Sequence, residues 1–113
     1  MKEIKAYIKP HKLSEVTMAL HQMKGLTGMS LTDVRGFGRI RTTDVHHRTV
    51  DDLEDYVPHV KIEIMCGDEL VELVISTIEK AAHTGLHGDG KIYVSDIANA
   101  IRISTGERGE EAV

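Results

Sequence analysis

The chain has no tryptophan, one cysteine and two prolines, and aromatic residues make up only 4% of its 113 positions. The single cysteine, Cys66, cannot form a disulfide within the chain or build a cysteine-rich zinc site, so we interpret it as a small buried apolar residue. No run approaches the ~20 apolar residues that cross a bilayer, and the first ten residues lack the apolar region of a secretory signal. These absences predict a cytoplasmic protein without direct membrane insertion.

The charge balance is mildly acidic, with 14 Lys and Arg against 18 Asp and Glu, a net charge of -4. Binding to a phosphate backbone normally requires a basic surplus, so we do not expect a nucleic-acid partner. Hydrophobic residues make up 41% of the chain, which is enough for an aliphatic core. The length is that of one domain, and we predict a single domain over residues 1–113.

Hydrophobic periodicity predicts four strands and two helices. Apolar and polar residues alternate over residues 2–9 and again from just after Pro58 to Cys66, and two further strands are predicted over residues 29–37 and 91–95. Apolar residues recur at helical spacing in two places, at Leu13, Val16, Leu20 and Met23, and at Leu70, Val74, Ile78 and Ala81. A short extended segment is predicted at residues 101–103.

This order predicts an α+β fold of the ferredoxin-like type, a double βαβ with a long loop between strands 2 and 3. Two helices cover one face of such a sheet and leave the other face bare. The expected members of the bare face are Tyr7, Glu63, Met65 and Tyr93. Because this mixture is too apolar for free solvent, we predict a closed homo-oligomer that buries it.

Residues 84–91, TGLHGDGK, form the most informative segment. As a string, residues 85–91 match the phosphate-binding pattern G-x-x-x-x-G-K, but a helix precedes the segment and a strand follows, the reverse of a P-loop. Three glycines still allow backbone amides to converge on an anion, and Lys91, Arg39 and Arg102 could converge on one polyphosphate. The alternative is that the glycines only end a helix and turn the chain.

The connection over residues 40–57 shows no sustained helical or strand pattern and is long for a compact domain. We predict a flexible target-binding loop over residues 38–58, whose acidic second half suits a basic partner surface; the alternative is a solvated charge run. His46 and His47 are candidate metal ligands there. Neighbouring side chains on extended backbone point apart, so a site would need His59, Asp44 or a second subunit; the alternative is that the histidines are simply exposed.

Five segments resemble the PII signalling proteins of bacteria and archaea: residues 5–13, 33–39, 60–64, 84–94 and 101–113. The resemblance covers essentially the whole chain. It implies a homotrimer of ferredoxin-like subunits with three clefts between subunits, each binding ATP or ADP. It also implies that residues 40–57 contact a target protein, such as an ammonium transporter in the membrane or an enzyme of nitrogen metabolism.

The resemblance also implies the nucleotide-binding residues. One wall of the site would be formed by Gly36, Phe37, Gly38 and Arg39. The phosphates would be held by Gly88, Asp89, Gly90, Lys91 and Arg102, and Mg²⁺ can accompany them. The nucleoside would be approached, in part from the neighbouring chain, by Gly28, Met29, Ser30 and Glu63.

Four departures from the family pattern limit what the resemblance implies. Ile40 replaces a glutamine that serves Mg²⁺ and 2-oxoglutarate, and His59 replaces a lysine that pairs with 2-oxoglutarate. These two changes argue against 2-oxoglutarate sensing. Ser104 replaces a phosphate-binding arginine, and Asp52 stands where many members carry the tyrosine that is uridylylated.

We therefore predict a non-enzymatic sensor that binds adenine nucleotide and regulates a transporter or a nitrogen-related enzyme through its loop. No nucleophile and base pair is evident in the sequence, so an enzyme is not expected. The alternative function is a PII-like metal-responsive regulator linked to heavy-metal efflux, with the histidines of the loop as ligands.

Overall fold

Two helices lie on one face of a four-stranded antiparallel sheet in the computed structural model, which describes residues 1–36 and 57–113. The elements in chain order are β1 (Lys2–Ile8), α1 (Leu13–His21), β2 (Ser30–Gly36), β3 (Val57–Cys66), α2 (Val71–Ala82) and β4 (Gly90–Asp96). A single 3-10 turn precedes each helix, and a third, Gly109–Ala112, lies near the end of the chain. None of the helices in these two ranges is long and apolar enough to cross a membrane.

The sheet has the strand order β2-β3-β1-β4, as a ferredoxin-like double βαβ requires. In the register of the central strands, Ile4 stands opposite Ile64, and Ala6 opposite Ile62. These side chains point to the face that the helices cover. There they pack against Val16 and Leu20 of α1 and Val74 and Ile78 of α2. The α+β fold predicted from hydrophobic periodicity is confirmed.

The opposite face of the sheet is left uncovered by helices. Tyr7, Glu63, Met65 and Tyr93 alternate with the buried positions of their strands, so all four lie on it, as predicted. Met65 is 41% exposed and Tyr93 53% exposed. The rings of Tyr7 and Tyr93 meet edge to face, with centroids 6.1 Å apart. Large apolar and aromatic side chains are thus exposed together on this face.

Strand β3 begins earlier than the sequence indicates. The prediction started it just after Pro58, but the strand begins at Val57, inside the range assigned to the loop. Strand β1 ends at Ile8, opposite Val60, so Pro58 is paired on one side only, with Arg35 of β2. Proline is tolerated at such a position because it is in effect an edge of the sheet.

The extended segment predicted at residues 101–103 is wrong. Only Ile101 forms a bridge, with Arg108, and the chain then turns. The amide of Gly106 donates to the carbonyl of Arg102 at 2.7 Å, closing the turn. Two glycines at positive φ, Gly106 and Gly109, reverse the backbone before a strand can continue.

Candidate functional site

The glycine loop, residues 84–91, connects the end of α2 to the start of β4. Three of its residues, Gly85, Gly88 and Gly90, have φ of +85°, +84° and +104°. Residues with a Cβ rarely adopt such angles. At Gly90 the backbone also lies against β1, where an added Cβ would stand 1.7 Å from the carbonyl oxygen of Tyr7. The loop conformation therefore depends on its glycines.

The carboxylate of Asp89 holds the glycine loop together from within. Its Oδ2 accepts from the backbone amides of Thr84 at 2.8 Å and Gly85 at 3.4 Å, and its Oδ1 accepts from the Thr84 hydroxyl. The Thr84 oxygen in turn accepts from the amide of Leu86 at 3.0 Å. The hydroxyl and amide of Thr84 lower the pKa of Asp89 well below its ordinary value. Asp89 is therefore an ionised structural anchor of the loop.

Acid is expected to loosen this anchor. The folded-state pKa of Asp89 is depressed, so its ionisation stabilises the fold above the unfolded pKa of about 3.9, and the stabilisation is lost as the pH falls through the folded value. We expect the thermal midpoint of the wild type to fall more steeply below about pH 5 than that of Asp89→Asn, which has no charge to lose. Parallel slopes for the two proteins would contradict this role.

The glycine loop has the groups that bind an anion. The amides of His87 and Gly88 donate to no atom of the residues that the structure describes. Lys91 follows at the start of β4, opposite Tyr7, and is exposed on the uncovered face. Amides in a glycine-rich turn beside an ammonium group are a common phosphate-binding arrangement. Three predicted residues, Gly88, Gly90 and Lys91, thus lie within one turn and the first positions of β4.

A second concave region, of about 750 Å³, brings together Gly28, Met29, Ser30 and Glu63. These are the four residues that the resemblance assigns to the nucleoside. Ser30 of β2 stands directly opposite Glu63 of β3. The Glu63 carboxylate lies 3.4 Å from the Lys61 ammonium. We call this region the Ser30 groove; its other lining residues include Glu3, Met65, Asn99 and Ala100.

The glycine loop and the Ser30 groove lie at opposite ends of the sheet. His59 Nε2 is 3.3 Å from the carbonyl oxygen of Gly88, which places this end of β3 at the loop. Glu63 is four residues further along the same strand, about 13 Å away at ~3.3 Å per residue. Strand β1 shows the same separation, with Tyr7 at the loop and Glu3 in the groove. The residues that the resemblance assigns to the phosphates and those it assigns to the nucleoside thus lie in two separate regions of one chain.

Arg102 lies beyond the end of β4 that is distant from Lys91. Its guanidinium donates to Glu107 Oε1 at 3.2 Å and to the carbonyl oxygen of Glu111 at 3.1 Å. Lys91 is at the start of β4 and Asp96 at its end, about 17 Å apart for an extended strand. Within the described part of one chain, Arg102 and Lys91 do not contact each other.

Several predicted residues fall outside the described ranges. Gly36 ends β2 opposite Val57, but the rest of the predicted wall, Phe37, Gly38 and Arg39, lies within residues 37–56, as do His46 and His47.

His59, the third candidate metal ligand, has its ring nitrogens 3.4 Å and 3.3 Å from backbone carbonyl oxygens. In residues 1–36 and 57–113, no three His, Cys, Asp or Glu side chains are grouped to hold a metal ion.

Sequence reasoning missed two residues at the glycine loop, Lys9 and Thr84. The Lys9 ammonium lies 3.1 Å from Asp89 Oδ1 and 3.2 Å from Thr84 Oγ1. Lys9 directly follows β1, and β1 pairs with β4 so that Ile8 stands opposite Gly90. The sheet order was the signal that could have placed Lys9 beside the loop.

The fold and the glycine loop together define a ferredoxin-like subunit with a glycine-rich turn and an exposed lysine at one end of the sheet. Comparison with known proteins identifies its family. A family model described as "Nitrogen regulatory protein P-II" matches residues 1–107. The chain belongs to this family, whose members are regulators rather than enzymes. The resemblance seen in the sequence is confirmed.

Individual members of the family are similar to this chain over their full length. The chain is 50% identical to a nitrogen regulatory protein P-II of Bradyrhizobium diazoefficiens and 46% identical to nitrogen regulatory protein P-II 1 of Escherichia coli K12. Both alignments span 113 residues and cover 100% of each protein. Among solved structures, Arabidopsis thaliana PII bound to citrate is similar with a TM-score of 0.80 and 38% identity, over 99% of this chain and 91% of the other.

Proposed function

We propose that three copies of this chain form a signalling protein that binds ATP or ADP in clefts between neighbouring chains and thereby regulates a partner protein. One observation carries the proposal. The glycine loop and the Ser30 groove, which we take as two half-sites, lie at opposite ends of one sheet, about 13 Å apart along β3. A heterologous interface that brings the loop of one chain to the groove of the next completes the site, and rotation closes it into a ring.

The uncovered face of the sheet supports this assembly. Met65 and Tyr93 expose large apolar surfaces on that face, and burial stabilises association by ~25 cal/mol per Å² of apolar surface removed from water. A second copy of the same chain supplies equally apolar surface. The assembly would thus bury the face and join the half-sites in one step.

The chemistry of the half-sites supports a nucleotide as ligand. The amides of the glycine loop and Lys91 suit phosphates, whereas the Ser30 groove offers Glu63 and hydroxyl groups to a nucleoside. Charge-assisted hydrogen bonds contribute about 1.5–3 kcal/mol each, so several of them, together with contacts to the nucleoside, are needed to reach the ~8 kcal/mol of micromolar affinity once ordering costs are subtracted. Citrate, bound to the Arabidopsis relative, is likewise a polyanion. Mg²⁺ can accompany the phosphates, while 2-oxoglutarate is not part of the proposal.

The partner is proposed to be related to nitrogen metabolism, either a membrane transporter or a metabolic enzyme. The names of the relatives support this class of target. Contact with the target is assigned to residues 40–57, as the resemblance implies. A nucleotide can change the affinity for a target only by binding one conformational state better than another.

Sedimentation and calorimetry test the proposal. We expect a particle of about three times the 12.5 kDa chain mass, binding one ATP or ADP per chain, with GTP as the control nucleotide. A stable monomer, or a trimer that binds neither adenine nucleotide, would refute it.

A further inference from the structure

Lys9 lies under the glycine loop, directly after the end of β1. Its ammonium is 3.1 Å from the Asp89 carboxylate and 3.2 Å from the Thr84 hydroxyl oxygen. Its Cε is 3.8 Å from the point where a Cβ on Gly88 would stand, so its methylene chain runs beside the turn. Only 19% of the Lys9 side chain is exposed. The lysine is therefore placed to act on the loop rather than on solvent.

The loop needs a compensating charge if it is to bind a polyanion. Asp89 is ionised at neutral pH and only 23% exposed, so its negative charge is held within the loop itself. A phosphate arriving at the amides of His87 and Gly88 would be repelled by that charge. Nearby, His83 Nδ1 lies 3.6 Å from Asp89 Oδ2, but the histidine is 72% exposed. Among the described residues, Lys9 is the lysine or arginine in contact with the carboxylate.

We propose that Lys9 is a positioning residue of the nucleotide site: it neutralises Asp89 and fixes the Asp89–Thr84 pair, so that the glycine loop accepts phosphate. The inference rests on the proposed function, since it concerns how the loop of that same site receives its ligand. Lys9 itself need not touch the nucleotide. Its role differs from that of Lys91, which faces the uncovered side of the sheet and has no carboxylate partner among the described residues.

A matched pair of variants separates this role from a general loss of positive charge. Lys9→Met removes the ammonium and keeps a flexible chain of similar length. Lys12→Met is the control, because the Lys12 side chain is also 19% exposed and also faces a carboxylate, that of Glu15 at 3.3 Å. Lys12 has no contact with the glycine loop among the described residues. Both variants change the net charge by one unit.

Calorimetry with ATP, ADP, AMP and adenosine tests the inference, because these ligands differ in the number of phosphate charges. Without Lys9, the Asp89 carboxylate repels each phosphate charge. At a separation of about 8 Å, this repulsion weakens binding by roughly twofold for each phosphate charge at low salt, and by less at high salt. Lys9→Met should therefore bind ATP on the order of tenfold more weakly and AMP about fourfold more weakly, with adenosine unchanged. Lys12→Met should bind all four ligands like the wild type. An equal loss for all ligands, or the same loss in Lys12→Met, would overturn the inference.

Two further variants test the mechanism of charge compensation. Lys9→Met/Asp89→Asn removes both charges and keeps an acceptor oxygen for the Thr84 amide, so it should bind ATP more tightly than Lys9→Met alone. Lys9→Arg keeps the charge and should retain most of the wild-type affinity. If the double variant binds no better than Lys9→Met, and Lys9→Arg fails to rescue, Lys9 has only a structural role and the inference is wrong.

The same measurements distinguish failure of the Lys9 inference from failure of the proposed function. If the wild-type trimer binds no adenine nucleotide, the proposed function itself is refuted, and the Lys9 inference is refuted with it. If the wild type binds ATP and Lys9→Met binds it equally well, the nucleotide site stands and only the role of Lys9 is lost. Thermal midpoints of all variants, measured on the same samples, show whether each is folded.

Discussion

Gly90→Ala is expected to lower the free energy of unfolding by about 3–5 kcal/mol, because it combines a forbidden backbone angle with a severe clash. The φ of Gly90 is +104°, and an added Cβ would lie 1.7 Å from the Tyr7 carbonyl oxygen and 2.7 Å from its carbon. Both contacts are with backbone, which cannot rotate away as a side chain can. Relief requires β4 to separate from β1 where Gly90 pairs with Ile8.

Gly106→Ala is the matched control for this prediction. Gly106 also has a positive φ, +78°, but nothing lies within 4 Å of its added Cβ. It should cost only about 1 kcal/mol, the strain of the angle alone. Urea unfolding followed by circular dichroism measures both variants. Equal losses in the free energy of unfolding for the two alanine variants would show that the clash with Tyr7 adds nothing to the loss.

Lys91→Ala is expected to weaken ATP binding by at least a hundredfold while leaving the fold intact. Lys91 is exposed at the start of β4, so its removal uncovers no core residue and should shift the unfolding midpoint little. A charge-assisted contact to phosphate contributes about 1.5–3 kcal/mol, and a second phosphate oxygen raises the loss further. Calorimetry of the wild type and the variant checks this. An unchanged titration would remove Lys91 from the site.

Mixing two defective variants tests whether the site lies between chains. Lys91→Ala disables the glycine-loop half-site, and Arg102→Ala disables the other half. The second variant loses two exposed contacts, the ion pair with Glu107 and the hydrogen bond to the Glu111 carbonyl oxygen, and exposed ion pairs contribute little to stability. Each variant alone should bind ATP poorly. After co-refolding in equal amounts, about one quarter of the interfaces should combine two intact half-sites and regain wild-type affinity. If mixed trimers form and no tight site appears, the site lies within one chain.

The sequence predicted the sheet well where burial alternates along a strand. The odd and even positions of residues 2–9 and 60–66 differ sharply in hydrophobicity because one face is buried and the other is not. The same rule failed at residues 101–103, where Ile103 is fully exposed. Alternation alone cannot form a strand without a partner, and only Ile101 finds one.

The candidate site was predictable only in part. Glycines in a turn before Lys91 signal an anion-binding loop because few other residues allow that backbone. The contacts that organise the loop could not be predicted in the same way. Lys9 and Asp89 are 80 positions apart in the sequence, and they meet only because β1 and β4 are neighbours in the sheet. The distance between the glycine loop and the Ser30 groove likewise becomes known only with the register of the strands.

The close approach of Gly90 to Tyr7 also limits how the edge strand β4 can slide during folding. Side chains alternate along β4, so Lys91 shares a face with Tyr7 while Ile92 points to the interior beside Ala6. Slippage by one position would push Asp89 or Lys91 against the Tyr7 oxygen and would also drive a lysine into hydrocarbon. The register of this edge strand is thus fixed in part by the absence of a methyl group at Gly90.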